Sequence, residues 1–168
     1  TPTITSFAPA AGSVGATVII SGANFSSTSS NNIVKINNTE ATVSVATTTQ
    51  LTITVPLNAT TGKITVTTNG ETTTSTSDFT VVQPPTITSF SPASSVIGTS
   101  VIIIGTNFSA TPSANTVKFN TTTATVSAAT TTQLTVAVPA NATTGKISVV
   151  VNGITFTTAN DFTVLPTP

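Results

Sequence analysis

The chain has no cysteine, histidine, tryptophan, tyrosine, methionine or arginine. Without cysteine it can build neither a disulfide frame nor a thiolate metal site. The groups left to titrate or attack are four carboxylates and four lysines among 168 residues, a poor inventory for acid–base or nucleophilic chemistry. Charged residues make up only 5%, against about 25% in an ordinary soluble domain. The charges also cancel, so no electrostatic footprint for nucleic acid or for an anionic membrane is present. No apolar run approaches the roughly 18 residues that would span a bilayer as a helix, and membrane insertion is not expected. The sequence opens at Thr1, where a signal peptide would carry methionine and a basic segment. The expectation is a processed chain or a piece of a longer one.

What the chain has instead is hydroxyl. Its 43 threonines and 19 serines replace charge as the source of surface polarity, and threonine is the β-branched residue suited to a solvated pleated face. Hydrophobic residues reach 38%, enough for a packed core. Such threonine-rich, lysine-poor, cysteine-free composition points to an extracellular or cell-surface location.

Aligned with itself at an offset of 83 residues, the sequence matches at about 52 of 83 positions without a gap. Phe7 meets Phe90, Gly22 meets Gly105 and Lys63 meets Lys146. The chain therefore reads as two domains, 1–83 and 84–168, joined by "VVQPP", whose two prolines make a short, stiff joint. Inside each repeat the period is two, as in "TVIIS", "QLTITVP" and "GKITVTT", and turn signals separate the runs. Seven strands and no helix are expected per repeat, with Asn69 and Gly70 as a two-residue hairpin turn. The predicted core is Ile4, Phe7, Val18, Ile20, Phe25, Val34, Ile36, Val43, Leu51, Ile53, Val55, Ile64, Val66, Phe79 and Val81, each with its partner 83 residues on.

The hexapeptide "ATTGKI" occurs at both Ala59–Ile64 and Ala142–Ile147 and suggests a phosphate loop. The chemistry does not fit, because that loop needs a first glycine where Leu57 and Ala140 stand and a magnesium-holding hydroxyl where Ile64 and Ile147 stand. Strand alternation explains the segment better, with Gly62 taking a turn conformation, Lys63 facing solvent and Ile64 facing inward.

The residues "PTITSFAPAAGSVGATVIISGANF" from Pro2, "VKINNTEATV" from Val34, "LTITVP" from Leu51, "GKITVTTNG" from Gly62 and "DFTV" from Asp78, with their equivalents in repeat two, resemble the IPT/TIG family of immunoglobulin-like modules. The specific part is Pro-x-Ile-x-x-Phe-x-Pro, then a glycine, an apolar strand and Gly-x-Asn-Phe. The resemblance implies an all-β fold of two tandem immunoglobulin-like antiparallel β-sandwiches. It implies little about function, since the family serves as stalk, spacer, dimerisation unit or DNA-contacting unit. Four lysines and no arginine set the last of these aside.

No catalytic residue, cofactor or metal is expected. Asp78 and Asp161 occupy equivalent places in separate domains, where a backbone hydrogen bond at the bend before the last strand accounts for them. Asn24, Asn37, Asn58, Asn107, Asn120 and Asn141 each open an Asn-x-Ser/Thr triplet and are candidate glycan acceptors. The threonine triplets at Thr47, Thr72, Thr121 and Thr130 suggest an ice- or sugar-binding array, but two per repeat are expected in loops and a twisted sandwich seldom offers a flat plane. The main functional expectation is a structural or adhesive extracellular module, a subunit or segment of a surface filament, stalk or adhesin. Its partner would be itself, head to tail, with the first strand, Thr3, Ile4, Thr5, Ser6 and Phe7, as the exchangeable segment. The alternative is a polysaccharide-binding accessory module of a secreted or surface enzyme. Repeat two also replaces Thr68, Glu71 and Thr73 by Val151, Ile154 and Phe156, which marks these three as a candidate inter-repeat interface or as the end of repeat two's own core.

Overall fold

A computed structural model describes all residues, Thr1–Pro168, and divides into two compact units, Thr1–Gln83 and Pro84–Pro168. In unit one the strands are β1 (Thr3–Ala8), β2 (Ala11–Gly12), β3 (Thr17–Ala23), β4 (Asn32–Ile36), β5 (Thr39–Ala46), β6 (Gln50–Thr54), β7 (Gly62–Thr68) and β8 (Glu71–Val81). Unit two has β9 (Thr86–Ser91), β10 (Ser94–Ser95), β11 (Ser100–Thr106), β12 (Asn115–Phe119), β13 (Thr122–Ala124), β14 (Val126–Ala129), β15 (Gln133–Ala137), β16 (Gly145–Val151) and β17 (Ile154–Val164).

Each unit is a β-sandwich. One layer of unit one is β1-β3-β6-β5 and the other is β4-β7-β8-β2, with β5 pairing into both. The switch falls between Ala41, paired to β4, and Thr42, paired to β6, and a bulge follows between Val43 and Val45. In unit two the same segment breaks outright at Thr125, giving β13 to one layer and β14 to the other. The seven expected strands are thus eight in the first unit and nine in the second. The additions are this break and the two-residue β2 and β10, which lie parallel to the ends of β8 and β17. A 3-10 turn also occupies Ser29–Asn31 and Pro112–Ala114, where no helix was expected.

The alternating pattern buries the predicted apolar set on the inner faces. Val18, Ile20, Leu51, Ile53, Ile64, Val66 and Phe79 lose all contact with solvent. Ile4, Phe7 and Val43 are only half-buried, because β1 is an edge strand and Val43 sits at the bulge. Ala41 and Ala59 complete this core, small residues that fill gaps without announcing themselves in the sequence. Phe119 replaces Ile36 and stacks edge-on against Phe162 with ring centroids 4.9 Å apart, a favoured aromatic arrangement.

The turns are built from asparagine. Asn69 and Gly70 have φ of 53° and 79°, the left-handed pair required by a tight hairpin whose strands close at Thr68 and Glu71. All eight left-handed residues other than glycine are asparagines, the residue type that tolerates this region best.

Candidate functional site

The repeated hexapeptide turns out to be a rivet. The Ala59 side chain is buried, the Thr60 hydroxyl accepts from the Asn37 amide at 2.9 Å, and the Thr61 hydroxyl accepts from the Val81 backbone N–H at 2.9 Å. Gly62 does not sit at positive φ, contrary to the turn role expected of it. A side chain there would meet Asn37, at 2.9 Å from its Cβ, so glycine is needed for close approach. Lys63 reaches back to the Thr76 carbonyl and lies 3.1 Å from the Asp78 carboxylate. Repeat two makes the same bonds through Thr143, Thr144 and Lys146. Every position of the motif is thereby accounted for by structure.

Asp78 and Asp161 therefore serve a different purpose from the backbone bond expected. Each faces the lysine of the neighbouring strand, at 3.1 and 3.2 Å, and both partners are about half exposed. Ser75, which periodicity alone does not mark, is buried at the bulge of β8. Its hydroxyl accepts from the Ile64 N–H at 2.9 Å and donates to the Ser77 carbonyl at 2.7 Å. Thr158 does the same in repeat two. Buried Asn32 is a second such residue: its carboxamide oxygen accepts from the Ser26 N–H and the Thr68 hydroxyl, and its amide donates to the Ser26 and Thr28 carbonyls.

These devices shape one groove per repeat, between the outer edge of β1 and the bulged stretch of β8, and again between β9 and β17. The floor is a half-buried ring, Phe7 or Phe90, held 6.2 Å from the Phe79 or Phe162 ring beneath it. Thr5 and Ser6, or Thr88 and Ser89, line one wall, the Thr5 and Thr88 hydroxyls donating to the Ser21 and Ile104 carbonyls of the neighbouring strand, and Asp78 or Asp161 closes the other wall. The volumes are about 230 Å³ in repeat one and about 370 Å³ in repeat two.

The remaining candidates fall as follows. Thr3–Phe7 of the expected exchange strand is seated in its own sheet as β1, paired to β3. All six triplet asparagines are exposed and left-handed, with φ between 53° and 65°. Asn24, Asn37, Asn107 and Asn120 donate side-chain hydrogen bonds, whereas Asn58 and Asn141 carry theirs free on the loop before β7 and β16. Val151 is buried in repeat two's core, with Phe156 packed against it as a partly buried neighbour, and Ile154 pairs across the hairpin with Val151. Glu71, the counterpart of Ile154, is exposed and lies 2.9 Å from the Thr1 amino group. That hydrogen bond and the accompanying charge hold its carboxyl below the ordinary value. One threonine triplet per repeat lies in a loop, Thr47–Thr49 and Thr130–Thr132. Thr72–Thr74 instead belongs to β8, and Thr122 and Thr123 to β13, so the expectation of two loop triplets per repeat was too high. No group of His, Cys, Asp or Glu side chains is placed to hold a metal ion, and no helix is long and apolar enough to cross a membrane.

The family profile of the IPT/TIG domain matches residues 2–81 and again 85–164. A search of curated proteins finds no significant match. Among solved structures, the extracellular region of plexin A4 aligns over 98% of this chain and 16% of its own, at 18% identity and a TM-score of 0.51. A surface glycan-binding protein, PbSGBP-B of Prevotella bryantii, aligns over 96% of this chain and 42% of its own, at 20% identity and a TM-score of 0.49. An auxiliary nutrient binding protein of Bacteroides ovatus aligns over 89% and 42%, at 16% identity and a TM-score of 0.48. The chain thus spans less than half the length of each of these proteins.

Proposed function

Since this chain belongs to the IPT/TIG family, we propose that it is a non-catalytic module of a secreted or cell-surface protein and that it helps that protein hold a neutral polysaccharide. The observation that carries this reading is the surface. It is covered by threonine and serine hydroxyls with almost no net field, and it is built twice on the same frame. Hydroxyls both donate and accept, so such a surface can exchange its bound water for the hydroxyls of an uncharged sugar polymer without discarding ionic hydration. None of the eight phenylalanines is fully exposed, so binding would be weak per site and would gain from repetition.

Electrophoresis of the chain through gels containing xyloglucan, mixed-linkage glucan, galactomannan or starch tests the reading. Retardation in at least one neutral polymer, insensitive to salt, is the expected result. Mobility identical to that in a polymer-free gel in all four would overturn it. A second reading, head-to-tail association into a stalk or filament, rests on the first-strand sequence "PTITSF" recurring at the joint.

A further inference from the structure

We infer that the groove of repeat two is the principal sugar-contacting site of the chain, with Phe156 and Asn160 as its specificity-determining residues and a neutral pyranose unit as its ligand. This rests on the polysaccharide reading above.

The argument comes from how the two copies differ. The frame of the groove is kept: the phenylalanine floor, the buried hydroxyl bridging the bulge and the lysine–aspartate pair recur in both repeats. Four changes nevertheless meet at this one place. Thr73 becomes Phe156, which adds an apolar wall beside Phe90, and Ser77 becomes Asn160, which adds a carboxamide at the rim, while Ser75 becomes Thr158, which keeps the buried hydroxyl, and Thr76 becomes Ala159, which removes an exposed one. The groove is about 370 Å³ in repeat two against about 230 Å³ in repeat one. A pyranose ring has an apolar face of C–H groups and an edge of hydroxyls. Two phenyl rings suit the face. Asn160 can donate and accept at the edge, and Asp161, of which Lys146 engages only Oδ1, can accept from a hydroxyl with its other oxygen. Repeat one keeps the acceptor and the floor but lacks the wall and the amide.

The test uses the full chain and the polymer, among the four named above, that retards it most. Phe156→Thr and Asn160→Ser each install the residue that repeat one already tolerates, and each should weaken retention about two- to tenfold, the span expected for losing one ring contact or one hydrogen bond. The converse variant, Thr73→Phe with Ser77→Asn, should strengthen it. Asn160→Ser and the converse pair leave the core of repeat two untouched, so they decide the matter if Phe156→Thr lowers stability. Retention unchanged in Asn160→Ser and in the converse pair would overturn the site while leaving the polysaccharide reading standing. A wild-type chain retarded by none of the polymers would overturn both.

Discussion

Glycine at position 22 shows how tightly single residues are specified. A β-carbon there would overlap the Thr3 carbonyl oxygen of β1 and lie 2.6 Å from the Phe25 ring. Gly105 is hemmed in by Thr86 and Phe108 in the same way. The Gly-x-Asn-Phe motif is thus one contact: the glycine admits the edge strand, the left-handed asparagine turns the chain, and the phenylalanine fills the space below. Gly22→Ala should lower the unfolding midpoint of repeat one, since the clash is with backbone and cannot be relieved by a rotamer change. Phe25→Ala or Phe108→Ala should cost about 3 to 5 kcal/mol in its own repeat, as large core truncations do. Thermal denaturation followed by circular dichroism checks all three. Asn32→Ala, which leaves the Ser26 N–H without its acceptor, is expected to cost about 1 to 3 kcal/mol. These polar demands were the illegible part of the sequence: nothing in periodicity distinguishes Asn32 or Ser75 from the many hydroxyls and amides that face water. The apolar set was legible because its period of two is shared by every strand.

At the scale of the element, β1 and β8 carry most of the open questions. The strand runs, the Asn-Gly hairpins and the inward faces followed from alternation and turn chemistry. The bulges in β1, β5 and β8 did not, because a bulge adds one residue without changing composition. Yet the bulged stretch of β8 lines the groove, so the candidate site was less readable than the fold. The bulge also guards an edge. Lys63 crosses to the Thr76 carbonyl and Ser75 draws the Ser77 carbonyl inward, blunting a strand border that would otherwise accept a neighbour. Ser75→Ala should destabilise repeat one and expose the Ile64 amide to exchange, which hydrogen-exchange NMR would show as lost protection at that residue. If copies assemble by donating the first strand, deleting Thr1–Phe7 should abolish assembly, and filaments that persist in electron micrographs of the deletion would rule out strand donation.

For the whole molecule, the difference between the repeats at the hairpin tip offers two outcomes. Ile154 is half-buried opposite Val151. If the tip of repeat two meets repeat one, Ile154→Glu should alter the small-angle scattering profile while repeat two stays folded. If Ile154 only closes repeat two's own core, the same change should lower that repeat's stability and leave the scattering profile alone. Composition had already set the molecular character, because so few charges leave a surface that must be wetted by hydroxyls.

Near-identity at a spacing of 83 residues has a kinetic side. The strand "TVIIS" of β3 pairs with "QLTIT" of β6, while "SVIII" of β11 pairs with "QLTVA" of β15. The two partners are almost interchangeable, so a fully unfolded chain can mate β3 with β15 and lock two half-sandwiches together. Tandem proteins are prone to this kind of misassembly. Synthesis on the ribosome avoids it by order of appearance, since β6 emerges some 80 residues before β15 and can complete repeat one before its rival exists. Refolding from denaturant removes that protection. The two-repeat chain should then recover its native state more slowly, and with more mispaired species, than either repeat alone, a difference that stopped-flow fluorescence with an introduced tryptophan would measure.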